Sequence, residues 1–150
     1  MDNTLSAKSN DVPKRPRTVA WEWWAILYLR LALGASFLSG IADRFGLYTG
    51  RNVGYGNFAG FVRYTAKVNS FMPVSTIPFL AGAATVAEFS LGLALVLNIW
   101  LRWAALGSCI LLILFGTAMA ISFGMKSPLD YSVFSASAGA LLLALYEFRK

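Results

Sequence analysis

Apolar residues in this chain do not alternate with polar ones; they run together. Four stretches, roughly 24–42, 76–97, 103–123 and 130–146, are almost unbroken in hydrophobic and small residues. Each approaches the ~20 residues that a helix needs to cross ~30 Å of hydrocarbon. The pattern predicts an all-α polytopic membrane protein, a four-transmembrane-helix bundle within residues 23–150. An even number of crossings places both termini on one side. Residues 1–22 have a different character. Pro13 and Pro16 surround Lys14, Arg15 and Arg17, as in a flexible basic tail held in the cytoplasm. The first run follows this basic segment as a signal peptide would. It is longer than an ordinary signal core of about 7–15 residues and carries Arg30, so a retained helix is expected.

The connection over 43–75 has two halves. Its first is rich in glycine, with Gly46, Gly50, Gly54, Gly56 and Gly60. Gly54-Tyr55-Gly56 has the outline of a dinucleotide turn, but no strand precedes it and no βαβ unit is available. In the second half Phe58, Phe61, Val62, Ala66 and Val68 are set against Arg63, Lys67 and Asn69. This spacing predicts a short amphipathic helix at about 57–71, lying in the membrane interface. Small residues recur at four-residue spacing in every long run: Ala32, Ser36 and Gly40; Ala84 and Gly92 around Glu88; Gly116, Ala120 and Gly124; Ser132, Ala136, Ala140 and Ala144. Such stripes let helices approach closely in lipid.

Composition strengthens the membrane reading. The chain is 57% hydrophobic and 13% charged, about half the charged share of a soluble domain. The net charge of +6, from 13 basic and 7 acidic residues, flanks apolar runs. Anionic headgroups are therefore the expected partner, and nucleic acid is not. Trp21, Trp23 and Trp24 precede the first run, and Trp100 and Trp103 lie between the second and third. Four crossings bring all five to one interface, as in an aromatic belt. Lys8, Lys14, Arg15, Arg17, Arg102, Arg149 and Lys150 fall on that side, and Arg44, Arg51, Arg63, Lys67 and Lys126 opposite. This bias points the termini toward the cytoplasm. The chain has no histidine and one cysteine, Cys109. Imidazole ligation of haem or zinc, Ser-His catalysis and a C-x-x-C pair are thereby excluded, and no metal site or metal-held cofactor is expected.

The costly residues are Arg30 and Glu88, since a charge at mid-membrane costs about 2.5–3.5 kcal/mol. Counting 1.5 Å per residue, Arg30 lies roughly 9 Å from Trp24, and Glu88 roughly 15 Å from Asn98. An arginine side chain spans that offset, so the two are expected to form an intramembrane pair. Gly34 and Phe37 share the Arg30 face, and Thr85 and Gly92 the Glu88 face, as candidate lining of a pocket. Proton relay, contact with a quinone headgroup and an anion site all remain open for such a pair, beside a purely structural role. A second polar cluster is expected at the opposite rim, from Asp43, Arg44, Lys126 and Asp130. Ordinary helix capping explains part of it, and reception of a partner is the alternative.

Arg30-Leu-Ala-Leu-Gly34 leading to Phe37, Leu38 and Gly40, then Glu88 with Gly92, then Arg102-Trp-Ala-Ala105, resemble the DoxX family of small bacterial membrane proteins. The resemblance covers roughly 25–146. Tyr64-Thr-Ala-Lys-Val-Asn-Ser-Phe71 and the segment from Ile121 to Ser132 are similar to a subgroup of that family. The resemblance implies a four-helix bundle in the bacterial inner membrane, with a basic residue soon after the first helix's glycine, here Arg44. It implies an accessory subunit of a quinone-linked redox system, with a quinone as the associated cofactor and a protein partner or a second copy of the chain beside it. Two alternatives stay open: an autonomous quinone reductase resembling a thiosulfate:quinone oxidoreductase subunit, and a small transporter or assembly protein. Whether the chain is itself an enzyme is left open.

Overall fold

A computed structural model describes residues 18–150, and the expected tail over 1–17 lies outside them. Six α-helices follow in order: α1 (Thr18–Arg44), α2 (Phe58–Val68), α3 (Ile77–Leu97), α4 (Leu101–Phe123), α5 (Lys126–Asp130) and α6 (Val133–Phe148). No strand occurs among the described residues. Helix α1 begins ahead of the expected boundary, because residues 18–22 are helical. Nothing in Ala20-Trp-Glu-Trp-Trp24 breaks a helix, so the polar start of the run hid its true beginning.

Three helices, over Trp21–Arg44, Val74–Leu97 and Leu101–Phe123, are long and apolar enough to cross a membrane. The fourth, α6, is apolar but has 16 residues, about 24 Å of helix. The expected fourth span over 130–146 is divided. Lys126–Asp130 forms its own short helix, and Ser132 with φ 54° redirects the chain before Val133.

The long helices pack in the cyclic order α1, α3, α4, α6. Neighbours run antiparallel, so α1 and α4 begin at the same end. Leu33, Phe37, Leu95, Leu101, Ala105, Cys109, Ala140 and Leu143 form the core between them. The seam of α1 and α3 is close. A Cβ on Gly34 would lie 2.7 Å from Val96 Cγ2 and 3.0 Å from the Gly92 carbonyl oxygen. Helix α6 brings the small residues Ala140 and Ala144 inward, both buried. On α1 the stripe is different from the one expected: Ala32 and Ser36 face outward, while Leu33, Gly34, Phe37 and Ile41 are buried. Outward faces carry large apolar residues such as Phe79, Val86, Phe89, Ile110, Leu114 and Leu142, a surface suited to lipid.

Asn98, in the left-handed region at φ 63°, ends α3, and α4 starts at Leu101, so the reversal is tight. It sets Trp100 and Trp103 at the end where Trp21, Trp23 and Trp24 begin α1, and all five are exposed. The opposite end is covered by the connection over 46–57 and by α2.

Candidate functional site

Helix α2 is started by Asn57, whose side chain accepts a hydrogen bond from the Gly60 N–H at 2.8 Å, and is closed after Val68 by Asn69. Its apolar stripe, Phe61, Thr65 and Val68, is buried. The amphipathic helix expected at 57–71 therefore exists, but its apolar face meets the protein and not only the lipid interface. It packs on α3, α4 and α1.

Beneath it lie the deepest charges of the described residues. Arg44, the last residue of α1, is 3% exposed, and Glu88, in the middle of α3, is 5% exposed. Arg44 Nη2 donates to Glu88 Oε1 at 2.7 Å and Oε2 at 2.8 Å. Arg44 Nη1 donates to Thr85 Oγ1 at 3.0 Å, and that hydroxyl donates in turn to the Ala81 carbonyl at 2.8 Å. Gly40 faces the pair: a Cβ there would sit 3.4 Å from Glu88 Oε2 and 4.0 Å from Arg44 Nη2, in ordinary contact. The guanidinium carbon lies 3.4 Å from the Phe61 ring centroid and 5.9 Å from that of Tyr55. A charged group under an aromatic face, cut off from water, gains from the ring quadrupole.

The cover is fastened by the neighbouring acid. Asp43, also buried, accepts from the backbone N–H groups of Gly54 at 3.1 Å, Tyr55 at 2.6 Å and Gly56 at 3.4 Å. Convergent backbone N–H groups make an anion-binding concavity, and this chain fills its own with Asp43. Gly54 is required there, since a Cβ would be 2.8 Å from Asp43 Oδ2. Gly60 is required more strictly, because its Cβ would be 2.0 Å from the Tyr55 carbonyl oxygen. Tyr55 packs edge-on against Phe61, with centroids 5.1 Å apart, and tilted against Tyr64 at 5.2 Å. Burial, with the neighbouring Tyr64 phenol adding and the Arg44 guanidinium opposing, pushes the Tyr55 phenol up to about 12. Burial also raises Tyr64. Both phenols stay protonated at any physiological pH.

The structure corrects the expected partner of Glu88. It is Arg44, not Arg30. Gly40 faces Glu88 while Gly34 faces Gly92, Leu95 and Val96. Arg30, ten residues before Gly40, therefore lies about 15 Å farther along the α1 axis, toward the other end of α3. It is half-buried, and its Nε is buried without a hydrogen-bond partner among the described residues. The expected pocket also closes. Gly34, Phe37 and Gly92 are buried in the α1–α3 seam, where a Cβ on Gly92 would meet Phe37 and Leu38 at 3.1 Å, and the Thr85 hydroxyl is engaged by Arg44. The expected rim cluster separates into three: Arg44 joins Glu88, Asp43 holds the glycine loop, and Lys126 pairs with Asp130 on the exposed surface. Among the described residues no group of three or more His, Cys, Asp or Glu is placed to hold a metal ion.

As it stands, the site is a clasp. One ion pair joins α1 to α3, and α2 closes over it. The sequence held one signal for it: Arg30, Gly34, Phe37, Ile41 and Arg44 follow one another at helical spacing, so both arginines occupy one face of α1. The family model DoxX matches residues 25–125, from within α1 to the end of α4. No curated protein and no solved structure gives a match.

Proposed function

The chain belongs to the DoxX family, and from that premise we propose that it is an accessory subunit of a quinone-linked redox system in the bacterial inner membrane. In this reading α6 completes a fourth crossing, and both termini face the cytoplasm. The basic bias toward the tryptophan-bearing end supports that orientation. The observation that carries the accessory role is the state of the buried charges. Arg44 binds Glu88 and Thr85 under the rings of Phe61 and Tyr55, and Asp43 binds the backbone of Gly54, Tyr55 and Gly56. A subunit that reduced a quinone alone needs a polar group free to meet it. Here the buried charged groups of the covered end are bound to one another or to backbone N–H groups, with only Arg44 Nε left without a hydrogen-bond partner among the described residues, which suits a scaffold.

Purification in mild detergent tests this. A redox subunit should co-purify, and the isolated chain should not reduce a quinone analogue with thiosulfate. Turnover by the pure chain would replace the proposal with the autonomous reductase. For the orientation, a reporter active only in the periplasm, fused after Lys150, should be silent, and activity would reverse it.

A further inference from the structure

Among neighbouring long helices, α1 and α6 share the least contact. Gly139 admits Leu29, since a Cβ there would lie 3.0 Å from the leucine. Beside this contact a groove of about 320 Å³ opens, near the lower end of the range for small-molecule sites. Ile26 and Leu29 form one wall, and Leu142, Leu145, Tyr146 and Arg149 the other. Leu142 and Leu145 are exposed, so the groove opens sideways, toward the surface suited to lipid. Its long walls are apolar, and its one charged residue stands at the end marked by the exposed tryptophans.

Two other cations at that end, Arg102 in the first turn of α4 and Lys150 after α6, lie against aromatic rings. Arg102 lies 5.8 Å from the ring centroids of both Trp103 and Phe148. Lys150 donates to Glu147 at 2.7 Å and lies over Tyr146. Arg149 makes no side-chain hydrogen bond or ion pair among the described residues, and it lines the groove.

We infer that this groove holds an acyl chain of an anionic phospholipid, whose phosphate is bound by Arg149. An apolar channel with one cation at its interfacial mouth that is unpaired among the described residues complements an amphiphile with an apolar tail and an anionic head. A guanidinium meets phosphate with two parallel N–H donors. A zwitterionic headgroup presents the same phosphate beside its own quaternary ammonium, which opposes the guanidinium and leaves no net charge to neutralise it, so a net-anionic lipid is held in preference. The inference needs only that this end lies at a membrane interface, and it does not depend on the redox reading.

The test is native mass spectrometry of the full chain released from micelles containing equal amounts of phosphatidylglycerol and phosphatidylcholine. The wild type should retain phosphatidylglycerol about fivefold in preference, the advantage of one basic residue near an anionic surface. Arg149→Gln should abolish the preference. Leu142→Trp, which fills the groove from its exposed side, should lower retention of both lipids. Arg102→Gln, which removes a cation at the same end but outside the groove, should change nothing. Thermal unfolding of each variant confirms that it is folded. Equal retention of the two lipids by the wild type would overturn the inference. So would an equal loss in Arg102→Gln and Arg149→Gln, which would mean diffuse attraction and no site.

Discussion

Replacing Glu88 by alanine removes the acceptor of both short contacts from Arg44 Nη2, at 2.7 and 2.8 Å. Arg44, 3% exposed, then keeps Thr85 and the faces of Phe61 and Tyr55. Removing one partner of a buried pair costs about 3–5 kcal/mol, because the other charge stays buried and uncompensated. Arg44→Ala should fall at the upper end of that range, since it strands the Glu88 carboxylate and also forfeits the stacking on Phe61. Replacing both residues leaves no stranded charge. The residual loss, from the cavity and the lost ring contact, should be about 2–4 kcal/mol. The double substitution is thus expected to lose at least about 2 kcal/mol less than the sum of the single losses. Reversible unfolding in mixed micelles, followed by far-ultraviolet circular dichroism, measures all three variants and closes the cycle. A double mutant that matches the sum within about 0.5 kcal/mol would refute the clasp. Arg30→Ala supplies the contrast: combined with Glu88→Ala it should be additive, and coupling there would refute the α1–α3 register.

Three further outcomes are expected. Gly60→Ala should detach α2, because its Cβ would lie 2.0 Å from the Tyr55 carbonyl, whereas Gly82→Ala, with nothing within 4 Å, should be neutral or stabilising; limited proteolysis in the 46–57 connection distinguishes them, and equal resistance would refute the close approach. Asp43→Ala removes the acceptor of three backbone N–H groups and should cost roughly 1–3 kcal/mol, read as faster cleavage in that same connection; unchanged cleavage would show that the loop holds without it. The Tyr55 phenol, raised by burial to about 12, should appear as a late step in an absorbance titration that Tyr55→Phe deletes. Its folded pKa exceeds the unfolded value of about 10, so its contribution to stability is complete below pH 10 and is lost as pH rises from about 10 to 12; stability that is flat across this window would contradict the buried phenol.

Three long apolar helices and a short amphipathic one were legible because each signal is local: an unbroken apolar run, or charges at helical spacing. The boundaries were less so. Trp21, Trp23 and Trp24 belong to α1 although Glu22 among them looks like flanking sequence, and the turn at Ser132 separates α6 from Lys126–Asp130 without a glycine or proline at the break. The partner of Glu88 was not legible from depth alone. Counting inward from Trp24 and Asn98 assumes that these residues share a level. The close seam at Gly34 and Gly92 sets the register instead, and it carries Arg44 to Thr85 and Glu88. A contact between residues 44 positions apart depends on how two helices slide past each other, and hydropathy carries no information about that sliding. The cover was hidden for a similar reason. Phe61 reads as lipid-facing until Asp43 draws the glycine loop down and α2 turns its apolar stripe onto the bundle.

The placement of the indoles has an optical consequence. All five tryptophans stand exposed at the end where α1 and α4 begin, and the clasp end has only tyrosine and phenylalanine. Intrinsic emission excited at the red edge is therefore a one-ended reporter. Opening of α2 over Arg44 should leave its wavelength unmoved, while any contact at the opposite end shifts or quenches it. Seen by fluorescence, the two ends of this small bundle are separate channels, and the tyrosine signal alone carries news of the clasp.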